Sequence, residues 1–282
     1  MRVDARSGGL YNAGVSASEQ LFFSVLGSGS AGNCVLVQAG NTSLLLDAGL
    51  SARATAERMA ACGVTLKPAA LFITHEHADH VQHVARVAQS TGAEVWINAG
   101  TQRKCEQRVA GLPCRELGTT PVRVGPMLVE PVAKPHDAAD PVGFLVHCGT
   151  ATLGFFTDLG HVDATVAAAL RRCTALIMEA NHDSAVMERG PYPPWLRARV
   201  GGRTGHMNNA DSARAIAEHA GPQLQELVLA HLSRENNTTE HVRQAMVAAL
   251  GERSRFTRRL SLQDRATPLL AAARGGAMCA AS

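Results

Sequence analysis

Four side chains that can bind a metal ion lie within six residues of one another, directly after the apolar run 69–73, which predicts a buried strand. They are His75, His77, Asp79 and His80. A strand end that leads into a turn lets alternate side chains point to one side, so His75 and His77 can share one ion. Asp79 and His80, at the start of the next predicted helix, can reach a second ion close by. Imidazole combined with carboxylate suits zinc, manganese or iron.

Another interpretation of this cluster remains open. Asp79 could be the N-cap of the following helix, and the histidines could be ordinary surface or core residues. That interpretation must explain the whole spacing at once, and we therefore favour the metal site.

Three later stretches each place one further metal-competent side chain at the end of a predicted strand. His136 lies in Lys134–Asp137, Asp158 in Phe155–Gly160, and His231 in Leu229–Ser233. Two packed sheets would bring such strand ends together.

The composition is that of a globular protein with a sizeable core. Of the 282 residues, 46% are hydrophobic and 18% are charged, and the net charge is only +3. A nucleic-acid partner would therefore have to meet a local basic surface rather than a global field. The seven cysteines contain no C-x-x-C pair, which favours reduced thiols and a cytoplasmic location. We expect no signal peptide and no membrane contact.

Strand and helix patterns alternate in both halves of the chain, and neither half holds a complete ligand set. This predicts two sheets packed on each other and covered by helices, with the site between their edges. Single helices are expected at about 80–90 and 100–110, and a β-meander over 116–157. Residues 1–20 are predicted to be a flexible arm, 21–264 the folded domain, and 265–282 a flexible, Ala- and Gly-rich tail.

The chain resembles the metallo-β-lactamase superfamily through its H-x-H-x-D-H signature, residues 75–80. The resemblance implies an αββα sandwich of two mixed sheets flanked by helices, with residues 21–264 as a single domain. It also implies that His136 completes the first metal site, that Asp158 bridges both ions, and that His231 completes the second site.

Four further stretches resemble the YycJ/WalJ group of that superfamily. They are Leu26–Asn33, Glu179–Asp183, Gly205–Asn209 and His231–Asn237. Members of this group are regarded as 5′-to-3′ DNA exonucleases. His83 departs from the pattern, since small residues are usual three positions after the last signature histidine. We expect His83 to be exposed or to support the site, and its bulk to affect substrate access.

The implied chemistry uses two divalent metal ions, zinc or manganese, with iron also possible. Ions about 3.5–4 Å apart can bind a bridging hydroxide and a phosphoryl oxygen. Asp158 would fix their spacing, and Asp79 would also orient the nucleophile.

Substrate contacts are expected from the motifs around this centre. His206 and His182 could donate to a phosphate oxygen or to the leaving 3′-oxygen. The remaining candidates are Ser30, Asn33, Asn181 and Asn209. Turn formation, helix capping or support of the site remain alternatives for all of them.

An arginine-rich stretch could contact nucleic acid. Its arginines are Arg189, Arg197, Arg199 and Arg203, and Tyr192 and Trp195 lie among them. The aromatic rings could stack on a terminal base, or they could form a rigid turn that packs on the core.

The combined prediction is a dinuclear metal-dependent phosphodiester hydrolase, acting as a 5′-to-3′ DNA exonuclease on ends or single strands. A phosphodiesterase for nucleotide-like or cyclic esters, using the same ligands and a narrower pocket, is the main alternative. A non-catalytic metal-binding regulatory protein is a further one. Oligomeric state is not predictable from these residues.

Overall fold

The computed structural model describes residues 20–273, which form two seven-stranded sheets packed face to face. The first sheet has the order β14-β1-β2-β3-β4-β5-β6, with β1 (Leu21–Gly27), β2 (Cys34–Ala39), β3 (Thr42–Leu46), β4 (Ala70–Phe72), β5 (Glu94–Ile97), β6 (Cys114–Glu116) and β14 (Leu270–Ala271). The second has the order β13-β12-β11-β10-β9-β8-β7, with β7 (Val122–Val124), β8 (Met127–Ala133), β9 (Val142–Cys148), β10 (Ala151–Phe156), β11 (Ala175–Glu179), β12 (Glu226–Ala230) and β13 (Thr257–Leu260).

Ten helices of the described residues cover the outer faces. They are α1 (Ala52–Ala61), α2 (Ala78–Val81), α3 (Val84–Thr91), α4 (Ala99–Lys104), α5 (Glu106–Val109), α6 (Ala164–Leu170), α7 (Ser184–Arg189), α8 (Pro194–Val200), α9 (Asn209–His219) and α10 (Thr239–Leu250). None of the helices within residues 20–273 is long and apolar enough to cross a membrane. The αββα sandwich predicted from the sequence is confirmed.

Three buried apolar layers hold the sandwich together. The central layer lies between the sheets, where Phe72 and Phe144 pack edge to face with ring centroids 5.8 Å apart. A second layer joins α6, α9 and α10 to one sheet, and a third joins α1 and α3 to the other. β11 is covered on both faces, and all five of its residues are buried. Strands of this kind appear in the sequence as nearly continuous apolar runs.

The strand directions bring the polar strand ends to one edge of the sandwich. In the first sheet β3 runs parallel to β4, and in the second β10, β11 and β12 run parallel to one another. Both β8 and β10 run antiparallel to β9, which makes them parallel to each other. Side chains that follow β8, β10 and β12 therefore lie at one edge of the second sheet. The residues after β4 meet them there, since His77 Nδ1 lies 3.2 Å from His136 Nε2.

The two predicted helices at 80–90 and 100–110 are each divided in two. The first break lies at Gln82 and His83, because the His83 N–H donates to the Ala48 carbonyl at 3.0 Å instead of continuing α2. The second lies at Cys105, with φ −116° and ψ 26°. The first break ties the end of α2 to the loop after β3.

The predicted flexible tail also differs from the structure in its first residues. Leu270 and Ala271 form β14, which pairs antiparallel with β1. Just before it, the Thr267 N–H donates to the Val25 carbonyl at 3.0 Å, and Ser24 Oγ donates to the Thr267 carbonyl at 2.8 Å. A two-residue edge strand has too little periodicity to be seen in sequence. The predicted arm, through residue 19, and the tail from residue 274 lie outside the described residues.

Three loops meet through backbone hydrogen bonds at Gly49. The Gly49 N–H donates to the Asn33 carbonyl at 2.9 Å, and the Asn33 N–H donates to the Asp79 carbonyl at 2.8 Å. A methyl group on Gly49 would overlap the Asp79 carbonyl and the Asn33 nitrogen. The absence of a side chain at Gly49 therefore allows the loop after β3 to approach Asp79.

We expect Gly49→Ala to lower the free energy of unfolding by about 1–3 kcal/mol, the usual range for overpacking. It should also weaken metal binding, because the backbone of Asp79 must move. Urea unfolding and metal content measure the two effects. Gly118→Ala is the matched control, since its added methyl group meets no atom within 4 Å. Equal stability of the two variants would contradict this packing.

Candidate metal centre

The first candidate site consists of three histidine nitrogens that face one another. His77 Nδ1 lies 3.1 Å from His75 Nε2 and 3.2 Å from His136 Nε2. Ligands at about 2.0–2.1 Å from a tetrahedral zinc ion are about 3.3–3.4 Å apart. The spacing of the nitrogens in this cluster therefore fits a single ion of that size.

The second candidate site lies beside the first and combines two histidines with two carboxylates. It contains Asp79, His80, Asp158 and His231. His80 Nε2 lies 3.1 Å from Asp158 Oδ2 and 3.4 Å from Asp79 Oδ2, and His231 Nε2 also lies 3.4 Å from Asp79 Oδ2. Asp158 Oδ2 is buried, and within residues 20–273 no donor makes a hydrogen bond to it. A buried carboxylate oxygen without a donor fits a position that a cation satisfies.

Asp47, at the end of β3, orients His80. Its carboxylate is fully buried, and Oδ2 accepts from His80 Nδ1 at 2.7 Å. Asp47 also accepts from the N–H and the hydroxyl of Thr74, at 2.8 Å and 2.9 Å. This arrangement fixes the His80 ring so that Nε2 faces the second cluster, as carboxylates behind metal-binding histidines commonly do. Asp47 was not among the site residues predicted from the sequence, although a carboxylate at the end of a buried strand was an available signal.

Glu179, at the end of β11, has the same role for His231 and accepts five hydrogen bonds. Oε1 accepts from Nδ1 of His231 at 2.7 Å, from Nδ1 of His206 at 2.9 Å and from the Asp158 N–H at 3.2 Å. Oε2 accepts from the N–H groups of Leu159 at 2.9 Å and Met207 at 3.1 Å. Glu179 lies in one of the motifs identified in the sequence but was not among the predicted site residues; a carboxylate at the end of a buried strand was the available signal.

A third group of metal-competent side chains is explained by these hydrogen bonds. It contains Asp158, Glu179, His206 and His231. Because His231 and His206 both donate Nδ1–H to Glu179, those nitrogens are not free to bind an ion. Glu179 therefore acts as a shared acceptor behind the second cluster.

Backbone strain is concentrated at the same place. Within the described residues, Asp47, Asp158 and His231 are the non-glycine residues with positive φ, at 64°, 53° and 58°. Each such conformation costs of order 1–3 kcal/mol and persists only where its surroundings enforce it. For His231, the N–H donates to Ser28 Oγ at 2.9 Å and the carbonyl accepts from Asn181 Nδ2 at 3.0 Å.

Burial and charge set the protonation of the two clusters. Burial holds the pKa of His75 well below its usual value and lowers that of His136 to about 4, so both rings are neutral and ready to bind a cation. Burial acts in the same direction on His231, but Asp158, Asp79 and Glu179 outweigh it and raise its pKa to about 10. Burial raises the pKa of Asp158, but His231 and His80 outweigh it and hold that pKa well below the usual range. A cation at the second cluster must therefore displace a proton from His231.

Three of the predicted substrate contacts have buried side chains. His182 is 1% exposed and Asn209 is 2% exposed, and the Asn209 amide exchanges hydrogen bonds with Asn237 at 2.8 Å and 3.0 Å. Asn181 is 7% exposed and holds the His231 carbonyl. The contacts of Asn181, and those of Asn209 through Asn237, hold the backbone around the site, which favours the supporting alternative; the substrate contacts of the three residues stay a prediction.

The two predicted contact residues in the Gly-rich loop after β1 differ in burial. Asn33 is buried, and its Nδ2 lies 3.0 Å from Asp79 Oδ2 and 3.1 Å from His80 Nε2. Ser30 is exposed at the outer side of this loop. Asp79 is not the helix N-cap, because α2 is capped by His77 without a side-chain hydrogen bond. His83 is half-buried, precedes α3 and lies outside the metal-competent clusters of the described residues.

The arginine-rich stretch lies against the wall of this centre. Arg199 Nε donates to Asp137 Oδ2 at 2.7 Å, and His136 Nδ1 donates to the Gly205 carbonyl at 3.2 Å. Helix α8 has no buried residue, and Trp195 is 68% exposed. The alternative in which this turn packs its tryptophan on the core is therefore wrong.

Comparison with known proteins agrees with this geometry. Residues 42–232 match the Beta-lactamase superfamily domain. The chain belongs to the metallo-β-lactamase superfamily. The superfamily predicted from the signature histidines is thereby confirmed.

Two curated relatives and one solved structure show how far the similarity extends. The chain is 31% identical over 238 residues to exodeoxyribonuclease YycJ of Bacillus anthracis, covering 83% of this chain and 90% of the relative. It is 30% identical to exodeoxyribonuclease WalJ of Streptococcus pneumoniae, covering 82% and 88%. The metallo-β-lactamase fold protein YhfI of Bacillus subtilis superposes with a TM-score of 0.66 at 17% identity, covering 89% of this chain and 99% of that one. The fold likeness therefore extends over nearly the whole described chain.

We expect Glu179→Gln to weaken metal binding at the second cluster by roughly 10–100-fold, the usual cost of losing a residue that orients a ligand. The glutamine amide has only one acceptor oxygen. It cannot accept hydrogen bonds from both histidines and from the three backbone N–H groups that bind Glu179. Calorimetric titration with zinc measures the affinity. Glu94→Gln is the control, since Glu94 is exposed and pairs with Arg115 at 3.2 Å. Unchanged affinity in Glu179→Gln would contradict the orienting role.

Chelation should lower the melting temperature of the protein, because the clustered carboxylates and imidazoles would lose the cation that satisfies them. A ligand present at 100 times its Kd stabilises the fold by about 2.7 kcal/mol. Calorimetry with and without EDTA measures the shift, and Asp158→Ala should show a smaller one. A melting temperature that changes neither with EDTA nor with added zinc would contradict metal binding.

Proposed function

We propose that this protein is a dinuclear metal-dependent phosphodiester hydrolase that acts as a 5′-to-3′ DNA exonuclease. The observation that carries the proposal is that the two candidate metal clusters lie side by side, with Asp158 in the second cluster and also facing the first. Its Oδ2 faces His80 at 3.1 Å, while its Oδ1 lies 4.0 Å from His136 Nε2. One carboxylate that faces both clusters is the arrangement needed to hold two ions as a pair.

DNA is chosen as the substrate because both curated relatives are named exodeoxyribonucleases. The 5′-to-3′ direction follows the resemblance of the four motifs to the YycJ/WalJ group. Bound zinc or manganese ions would lower the pKa of a coordinated water and offset negative charge on the phosphate. The expected cytoplasmic location stays a prediction.

Two side chains beside the clusters, Asp79 and His206, would supply the remaining roles in hydrolysis. Asp79, whose side chain is 21% exposed, faces the cleft and would orient the attacking water. His206 is 20% exposed and is held by Glu179 through Nδ1, which leaves Nε2 for a substrate. Burial lowers the pKa of His206, but Glu179 outweighs burial and raises it. His206 therefore keeps a proton that it can donate to the leaving 3′-oxygen.

Digestion of end-labelled DNA tests the proposal. A strand labelled at its 5′ end should release the label at once as mononucleotide when manganese or zinc is present, whereas a 3′ label should remain on long products until late. Asp158→Ala should abolish release, because it removes the carboxylate that faces both clusters.

Bis-p-nitrophenyl phosphate supplies the control for the chemistry. Turnover of this ester without digestion of either strand would overturn the nuclease proposal and favour the small-molecule phosphodiesterase. Loss of neither activity in Asp158→Ala would overturn the dinuclear site itself.

A further inference from the structure

The most exposed large hydrophobic side chain of the described residues lies on α8, the helix whose last residue, Val200, contacts His206. Trp195 is 68% exposed and belongs to α8, a helix that buries none of its residues. An exposed tryptophan costs free energy of solvation, and on a helix without a core-facing side it contributes nothing to the core. The indole is therefore accessible to a ligand.

Although α8 lacks buried residues, it is held rigidly beside the site. The His206 N–H donates to the Val200 carbonyl at 2.7 Å, and Arg199 pairs with Asp137, the neighbour of His136, at 2.7 Å. Arg197 Nη1 donates to the Glu188 carbonyl at 2.5 Å, which fixes α8 to the end of α7. Five residues at 1.5 Å per residue place Trp195 about 7.5 Å along the helix from Val200. That length corresponds to about two stacked bases at 3.4 Å.

Two exposed arginines on neighbouring chain segments, Arg189 and Arg234, have no side-chain partner among residues 20–273. Arg189 ends α7 and is followed by Gly190, which packs on the side chain of Asn236. Arg234 lies two residues before Asn236, in the loop after His231. The Asp183 N–H donates to the Asn236 carbonyl at 2.9 Å and joins this loop to the start of α7. Both guanidinium groups are therefore available to an anionic ligand.

We propose that Trp195, Arg189 and Arg234 form a strand-binding surface for the end of single-stranded DNA. The proposal rests on the nuclease function proposed above. The indole stacks on a base near the scissile phosphodiester, and the two arginines bind phosphates farther along the strand. A single aromatic ring flanked by cations suits one strand of nucleic acid, whereas a protein partner requires a larger apolar patch.

Steady-state kinetics of Trp195→Ala on a single-stranded oligonucleotide and on bis-p-nitrophenyl phosphate test the surface. The variant should lose roughly 5- to 150-fold in kcat/KM on the oligonucleotide, the factor equivalent to stacking one base. Its kcat/KM on the small ester should equal that of the wild type, because the metal clusters are untouched. Trp195→Phe should recover most of the loss, since phenylalanine also stacks.

The salt dependence of binding tests the arginines. For a phosphorothioate-linked strand, which resists hydrolysis, the slope of log affinity against log salt should become shallower by about 0.7 for each phosphate contact removed. We therefore expect a change of about 1.4 in the Arg189→Ala, Arg234→Ala double variant. Arg123→Ala is the matched control, because exposed Arg123 pairs with Leu128 near the start of β8, at the opposite end of that strand from His136.

The outcomes separate this inference from the nuclease proposal. A wild-type protein that digests DNA, with Trp195→Ala equally fast, would overturn the strand-binding surface alone. A wild-type protein that hydrolyses only the small ester would overturn the nuclease function and the surface with it. An unchanged salt slope in the double arginine variant would remove the arginines from the surface.

Discussion

The candidate metal centre depends on one buried carboxylate, Glu179, which joins three strand ends. It accepts hydrogen bonds from two histidine rings and three backbone N–H groups. Burial raises its pKa, but His206 and His231 outweigh burial and lower it to about 2, so it stays ionised. A buried charge is tolerated only when its hydrogen bonds are complete. The ionised Glu179 therefore depends on hydrogen bonds from Asp158, His206 and His231. The same hydrogen bonds fix the positions of these three residues.

Asp47 repeats this arrangement on the other sheet. It holds His80 and Thr74 from the end of β3, as Glu179 holds its histidines from the end of β11. Each sheet thus contributes its own buried carboxylate behind a histidine of the second cluster. The packing of the two sheets brings these preorganised halves together, and the positive φ angles of Asp47, Asp158 and His231 show how closely the backbone is constrained there.

The layers of the fold and the grouping of the signature residues could be predicted from the sequence, because apolar periodicity and ligand spacing are local. The break at His83 and the strand β14 could not, because they depend on hydrogen bonds to residues far away in the chain. The break at Cys105 is a local change of backbone conformation that no residue pattern marks. The same limit applies to Asn181, His182 and Asn209. Their residue types suggest substrate contacts, whereas their burial is decided by α9 and by the loop that contains Asn237. Glu179 and Asp47 were missed for a related reason, since a carboxylate at a strand end acquires its role only from the histidine it meets.

Anomalous X-ray scattering from crystals grown with zinc tests most directly the claim that Asp158 lies between two ions. Two peaks are expected, one among His75, His77 and His136 and the other among Asp79, His80 and His231, with the Asp158 carboxylate contacting both. A single peak, or a peak bound by Glu179 and His206, would contradict it.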